Sequence, residues 1–404
     1  MRVFCRLGMA RLAIQVRRGF GSASISAVAV LALVPAGAFA NAPGSIDRSF
    51  GAHGRVLTNF GGPTQPKAWG PSYARSVTIG NRGRIVVAGG PPFAVARYKP
   101  IGKLDHSFSQ DGKATVKFAT GTAGPAWPGS ANAVAIGAHG TVIAVGAVGG
   151  RPTHRRPTAF GVARFKSNGR LDRSFSGNGK LRLPRVGRHD VANAVALDEQ
   201  GRILIAGQAG TGAAIVRLNA DGEMDRTFGE DGSVYVPAKG GFNSVAIDSR
   251  GRIVAASGQD KSVYRFEPDG EPDRSFGDRG RALDVGGAGW IAIDRHDRII
   301  VADYDTVFLL DQDGSADISL AAPAAVRVTV DSKQRPIAFG ALDRRELCVS
   351  RYTPDWDYDH TLDQATVKFP GKRFVAGGVA TDSKDRIVGV GGAKGRFALA
   401  RLHG

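Results

Sequence analysis

From residue 76 onward the chain repeatedly shows two short apolar runs of period two on either side of a polar turn. Examples are SVTIGNRGRIVVAGG at 76, AVALDEQGRILIAGQ at 194 and SVAIDSRGRIVAASG at 244. Alternation of this kind predicts a β-hairpin with one face in a core. The unit occurs seven times. A third apolar run follows each hairpin, as in FAVARYK at 93 and FGVARFK at 160, and a fourth follows after a glycine-rich linker, as in KATVKF at 113 and SVYVP at 233. Each unit therefore predicts four short strands in sequence order.

The linker between the third and fourth strands is itself a repeat. It reads GSIDRSFGAHGR at 44, GKLDHSFSQDGK at 102, GRLDRSFSGNGK at 169, GEMDRTFGEDGS at 222 and GEPDRSFGDRGR at 270, with weaker copies at 314 and 355. These copies place seven aspartates in register: Asp47, Asp105, Asp172, Asp225, Asp273, Asp317 and Asp359. Four-stranded units repeated in this way predict an all-β, seven-bladed β-propeller. The ends of the chain complement each other: it stops at RFALARLHG, a third strand with no motif after it, and the motif at 44 has no strand before it. An arginine stands eight residues before the motif aspartate in Arg97/Asp105, Arg164/Asp172, Arg217/Asp225, Arg265/Asp273 and Arg351/Asp359, and joining the ends gives Arg401 and Asp47 the same register. Residues 54–60 are thus expected to supply the outer strand of the last blade and close the ring. In the sixth unit Leu320 replaces the motif phenylalanine and a fourth strand is hard to find, so this blade is expected to be degenerate.

The pattern LDxSFGxxG, followed by VAxDxxGRIxVAG and ARY, resembles the delta-60 repeat of secreted bacterial proteins, over nearly the whole of residues 41–404. That resemblance implies a propeller-type scaffold and brings no shared catalytic residues with it.

Composition adds the setting. The first 40 residues hold Arg2, Arg6, Arg11, Arg17 and Arg18, then the apolar run SAVAVLALV and Ala38-Phe39-Ala40, which is the pattern of a signal peptide cleaved after Ala40. Arg17-Arg18 also fits twin-arginine export, and the apolar run is too short to span a bilayer. Residues 41–404 then form one exported domain, expected outside the cell or in the cell envelope, monomeric, with no transmembrane segment. Removing the leader's five arginines from 54 basic residues leaves 49 against 36 acidic ones, a balance that favours anionic partners. Cys348 is the one cysteine left after cleavage, so no intrachain disulfide is expected, and on a predicted third strand it reads as a small core residue.

Spacing separates fixed turns from free loops. The first strand reaches the hairpin turn after seven residues in every unit, as from Ser76 to Gly83, whereas the loops before the first strand and between the second and third vary in length. In an up-and-down blade the variable loops share one face. That face is the candidate binding surface. It carries the aromatics Trp69, Tyr73, Trp127, Phe242, Trp290 and Phe374 among the cations Lys67, Arg151, Arg155, Arg156, Arg185, Arg188, Lys239 and Arg373. The plainer alternative is that these rings only pack the loops. Arg75, Asn132, Asn193 and Asn243 occupy equivalent positions at the start of the innermost strands, followed by Gly289, Val326 and Gly377. They are expected to rim the central channel, as a polar ligand mouth or as strand-end caps.

Two function classes follow. One is a binding or interaction module for an envelope glycan, another anionic polymer or a protein. The other is a metal-dependent lyase or lactonase at the channel mouth, for which hard cations need several oxygen ligands. No carboxylate stands at the seven rim positions; His189 with Asp190, and Asp303 with Asp305, are the nearest candidates and match no metal motif. The eight histidines show no HxxxH or HExxH spacing, and the recurrent Ser49, Ser107, Ser174, Thr227 and Ser275 read as turn residues. The sequence therefore assigns no cofactor, metal or catalytic residue, and nucleic acid is disfavoured by export and by the lack of a recognised binding motif.

Overall fold

Seven antiparallel sheets of four strands each make up the protein. The structure, a computed structural model, describes residues 41–60, 72–118, 128–150, 158–187, 189–285, 289–322, 324–342, 346–362, 365–371 and 373–404. The leader, 1–40, lies outside the described residues. Blade 1 consists of Tyr73–Ile79, Ile85–Gly90, Phe93–Tyr98 and Lys113–Val116, from the inside outward. The innermost strands of blades 2 to 7 are Ser130–Ile136, Val191–Leu197, Ser244–Ile247, Trp290–Ile293, Ala325–Val330 and Phe374–Thr381. Each of these contacts its two neighbours, so together they form a closed wall around a central channel.

Burial follows the apolar pattern. The second and third strands, such as IVVAGG and FAVARY, are buried at every residue, because a blade in the ring is covered on both faces. Seven apolar clusters form the core, each built from two adjacent blades; Phe108 and Phe165 of one, for example, join blades 1 and 2. Stability is thereby spread over the seams between blades.

The repeated motif is the joint at those seams. In blade 3 Arg217 Nε donates to Asp225 Oδ2 at 2.7 Å, while Asp225 Oδ1 accepts the backbone N–H and the hydroxyl of Thr227 at 3.1 and 2.6 Å. The Arg217 guanidinium lies over the Phe228 ring at 4.5 Å and donates to the Pro268 carbonyl of the next blade. Phe228 is fully buried against Gly270 of that blade, where a Cβ would stand 2.9 Å from the ring. Glycine is required there because the neighbouring phenylalanine fills the space a side chain would take.

The ring closes through its ends. Arg55–Thr58 pairs antiparallel with the last strand, Arg55 opposite Ala400 and Thr58 opposite Phe397, as the outer strand of blade 7. Arg401 Nε donates to Asp47 Oδ2 at 2.8 Å, and its Nη1 donates to the Pro100 carbonyl of blade 1.

The irregular unit takes a form that the sequence obscures. It has a full fourth strand, Ala316–Ala321, formed by the motif residues themselves and paired with Thr306–Leu310 as the outer strand of blade 5. The missing elements are the turn and the ion pair, because Leu309 stands where the arginine would be and Asp317 is exposed. Other contacts hold that seam: the Tyr352 hydroxyl donates to the Ala321 carbonyl at 2.7 Å, and Arg298 lies over Trp356 at 5.9 Å.

One hairpin position has a positive φ in all seven blades, and it is glycine in the first four, Gly83, Gly140, Gly201 and Gly251. In the last three, Asp297, Gln334 and Asp385 accept the left-handed backbone and use the side chain to reach the preceding blade. Asp297 accepts from the Ser249 N–H and hydroxyl at 2.9 and 2.6 Å, Gln334 Oε1 from the Arg295 N–H at 2.8 Å, and Asp385 from the Ser332 N–H at 2.9 Å. The Asp297 and Asp385 latches brace the two blades on either side of the seam that lacks a complete motif, and Gln334 bridges that seam itself.

Candidate functional site at the channel mouth

A β-bulge opens the innermost strand in five blades, at Arg75, Asn132, Asn193, Val326 and Gly377. A bulge adds an unpaired residue and re-aims its side chain. The result is a cavity of about 650 Å³ on the face of the variable loops, a volume in the range of small-molecule sites. Tyr73, Arg75, Asn132, Asn193, Asn243 and Trp290 all line it.

The wall has two unlike halves. On blades 2 to 4 it presents amides. Asn132 Nδ2 donates to the Ala192 carbonyl at 2.9 Å and Asn193 Nδ2 to the Phe242 carbonyl at 3.0 Å, each bond tying one blade to the next. These asparagines line the channel and hold its wall together at the same time.

On blades 5, 6 and 1 the wall presents Trp290, Arg327 and Arg75. The Arg327 guanidinium lies 3.5 Å from the Trp290 ring centroid and donates from Nη1 to the Val326 carbonyl at 2.8 Å. Burial, with the charge of Arg75 added to it, pushes Arg327 down to about 9, which leaves it charged at neutral pH. Arg75 is accessible from the cavity, and enclosure by the ring likewise lowers its pKa, against an opposing contribution from Tyr73. Between the two arginines blade 7 contributes the bare backbone of Gly377 and Gly378. Among the described residues no Asp, Glu or His lines the cavity. Among the described residues no group of three His, Cys, Asp or Glu side chains could hold a metal ion.

The remaining candidates lie elsewhere. Phe242 is fully buried in the seam of blades 3 and 4, edge-on to Tyr264 at 5.4 Å, and Phe374 stacks on Phe369 at 4.9 Å, so both are packing residues. Arg373, Arg185 and Lys239 are exposed outside the cavity lining. Trp69, Trp127, Arg155 and Arg188, with Lys67, Arg151 and Arg156, lie outside the described residues. Asp190 is a buried loop clamp that accepts the N–H groups of Val186, Gly187 and Gly210, while its neighbour His189 is exposed. Asp305 accepts the Ala324 N–H at 3.4 Å. Cys348 is buried, as expected for a small core residue.

Arg327 was the residue that sequence reasoning missed. It follows the bulge, in register with Ser76, Ala133, Ala194, Ser244, Trp290 and Gly378. The available signal was that it is the single charged residue in that column.

Comparison with known proteins agrees with this architecture. Residues 147–175, 201–228 and 251–276, in blades 2 to 4, match the family described as "Domain of unknown function (DUF5122) beta-propeller". No curated protein matches. A streptogramin B lyase structure is similar at 10% identity and a TM-score of 0.59, over 86% of this chain and 97% of that one. Virginiamycin B lyase from Staphylococcus aureus is similar at 11% identity and 0.59, over 86% and 98%. The Pan2 WD40 domain of Neurospora crassa is similar at 13% identity and 0.55, over 87% and 94%. At these identities the likeness is one of fold. It places the chain among proteins with a β-propeller repeat fold.

Proposed function

We propose that this chain is an exported binding module, built from repeats of the delta-60 type, that takes an anionic small molecule or the acidic end of an envelope glycan at its channel mouth. One observation carries the reading: two arginines face a shared cavity whose described lining residues include no carboxylate. Cations in an enclosed site lose solvation, and without a counter-charge they repel each other. A bound carboxylate or phosphate supplies that charge and accepts from two planar donor sets. Blade 7's glycines let the inner strand of blade 1, which carries Arg75, pack close against them, and the amide half can bond hydroxyl groups. The basic balance and the leader-like residues 1–40 support an exported setting.

The lyase or lactonase reading draws on fold likeness alone, and among the described residues the lining offers it no Asp, Glu, His or Lys side chain. Thermal shift separates the two. Glucuronate or a sugar phosphate should raise the melting temperature where glucose does not, and Arg75→Gln with Arg327→Gln should abolish that shift while leaving the ligand-free protein at least as stable. Equal stabilisation by neutral glucose, or an unchanged shift in the double variant, would sink the proposal.

A further inference from the structure

The opposite face, which carries the motif turns, is divided by charge. On blades 1 and 2 these turns expose Arg82, Lys99, Lys103, Lys166, Arg170 and Arg173 against one exposed carboxylate, Asp111, and that group already pairs with Lys113 at 3.3 Å. On blades 3 and 4 they expose eight carboxylates, among them Glu223, Glu230, Glu271 and Asp278, against four arginines. The division is not required by the fold. Lys103 and Arg170 occupy the same turn position as Glu223 and Glu271, and Lys166 the same position as Glu267, on backbones that repeat the same turn. None of the six cationic side chains makes a hydrogen bond or ion pair among the described residues.

We propose that the blade 1 and 2 half of the motif face docks a linear anionic glycan, a polymer bearing a carboxylate or sulfate at regular intervals along its chain. Six cations without a described partner, on the turns of two neighbouring blades, form a track that a repeating charge can follow, and the acidic half keeps the polymer off blades 3 and 4. Ile101, 48% exposed, is the single large hydrophobic residue exposed on this sector among the described residues, so there is no apolar wedge of the kind that inserts into a membrane. Among the described residues the sector exposes no Phe, Tyr or Trp ring on which a nucleic-acid base could stack. Docking on this face leaves the channel mouth on the other side unobstructed.

The test is equilibrium binding of the full chain to polygalacturonate at stepped salt. Affinity should fall steeply with salt through counterion release, and Lys99→Glu, Lys103→Glu, Lys166→Glu and Arg170→Glu together should weaken it by about 30-fold or more at low salt and flatten the slope by roughly 3. The pair Glu223→Lys and Glu271→Lys should tighten binding, which provides a gain-of-function readout should the fourfold variant fail to fold. The channel variant Arg75→Gln/Arg327→Gln should bind the polymer as the native chain does. The proposal is overturned by no binding of polygalacturonate, by a fourfold variant within threefold of native, or by tighter binding to DNA or to phosphatidylglycerol vesicles of matched charge. It is also overturned if the channel variant alone abolishes polymer binding, a result that would leave the anion site at the mouth standing.

Discussion

Removing the Asp47 carboxylate tests whether the N-terminal strand closes the ring. Asp47 and Arg401 have side chains only 4% and 2% exposed, and their atoms approach to 2.7 Å. Asp47→Ala leaves a buried guanidinium without its counter-charge, a change that costs about 3 to 5 kcal/mol. Arg401 retains its bond to the Pro100 carbonyl and its place over the Phe50 ring at 4.7 Å, so the lower end, about 3 kcal/mol, is expected. The internal reference is Asp225→Ala, which removes the same carboxylate from an unbroken blade where the Arg217 side chain is 4% exposed. Urea unfolding of both variants should show matching decreases in midpoint with an unchanged slope. If Asp225→Ala cost about 3 kcal/mol and Asp47→Ala less than 1, the ends would not be carrying a seam of equal strength, and the closure argument would be wrong. Deleting 44–60 should be more severe than either, because it also removes the buried Phe50 and the outer strand.

Three further predictions follow from the seams. Burial by itself would raise the pKa of Asp47, Asp105, Asp172, Asp225, Asp273 and Asp359, but the Ser or Thr hydroxyl and N–H two residues on, with the paired arginine, outweigh it and hold each below the usual carboxylate range. Depressed folded values give stability that is complete above the unfolded pKa near 4 and is lost as pH falls through the folded values, so melting should be flat from neutral to about pH 5 and drop steeply below about pH 4; a decline beginning near pH 6 would implicate other groups. Gly222→Ala, at φ +96 with a Cβ 2.7 Å from the Phe175 ring, should cost about 3 kcal/mol, and Gly177→Ala, at φ +71 with nothing within 4 Å, about 1; equal midpoint losses would show that the wedge is not tight. Asn193→Ala should lower stability by about 1 kcal/mol, since the Phe242 carbonyl loses its donor; unchanged melting would make Asn193 a ligand residue only.

Architecture was far more legible in the sequence than the site was. Seven hairpins, a fixed Arg-to-Asp interval and complementary ends specify the blade count and the closure, because each repeat states the same local rule again. Blade 5 was harder to read, since a strand in the motif's own residues keeps Gly314 and Asp317 but loses the motif phenylalanine and the glycines after it. The rim could be placed from register alone at Arg75, Asn132, Asn193 and Asn243. Phe242 could not be assigned in the same way, because an aromatic at a loop end has the same signature whether it faces a channel or a seam. Arg327 was hidden by its column, whose other members are small or, at Trp290, aromatic. Only the fold brings it together with Trp290 from the preceding blade and Arg75 from two blades further on.

The two faces differ for one physical reason. On the motif face the turns meet the next blade, through an Arg guanidinium and a carbonyl partner at four seams and through a Phe ring and its glycine at five, so backbone geometry there is constrained and the outward side chains are the ones that diverge. Divergence at those positions changes charge without moving the chain, which is how neighbouring blades come to carry Lys103 and Glu223 on the same turn. On the other face the described loop residues repeat no such joint, and the bulges turn successive inner strands into mounts for single side chains. Arginine at the blade 1 mount, Arg327 one position beyond the blade 6 bulge and glycine at the blade 7 mount together set a cationic half against the amides of blades 2 to 4. If the mouth binds as proposed, its specificity resides in departures from the repeat, and the residues that break their columns, Arg75, Trp290 and Arg327, are the first to examine for a ligand.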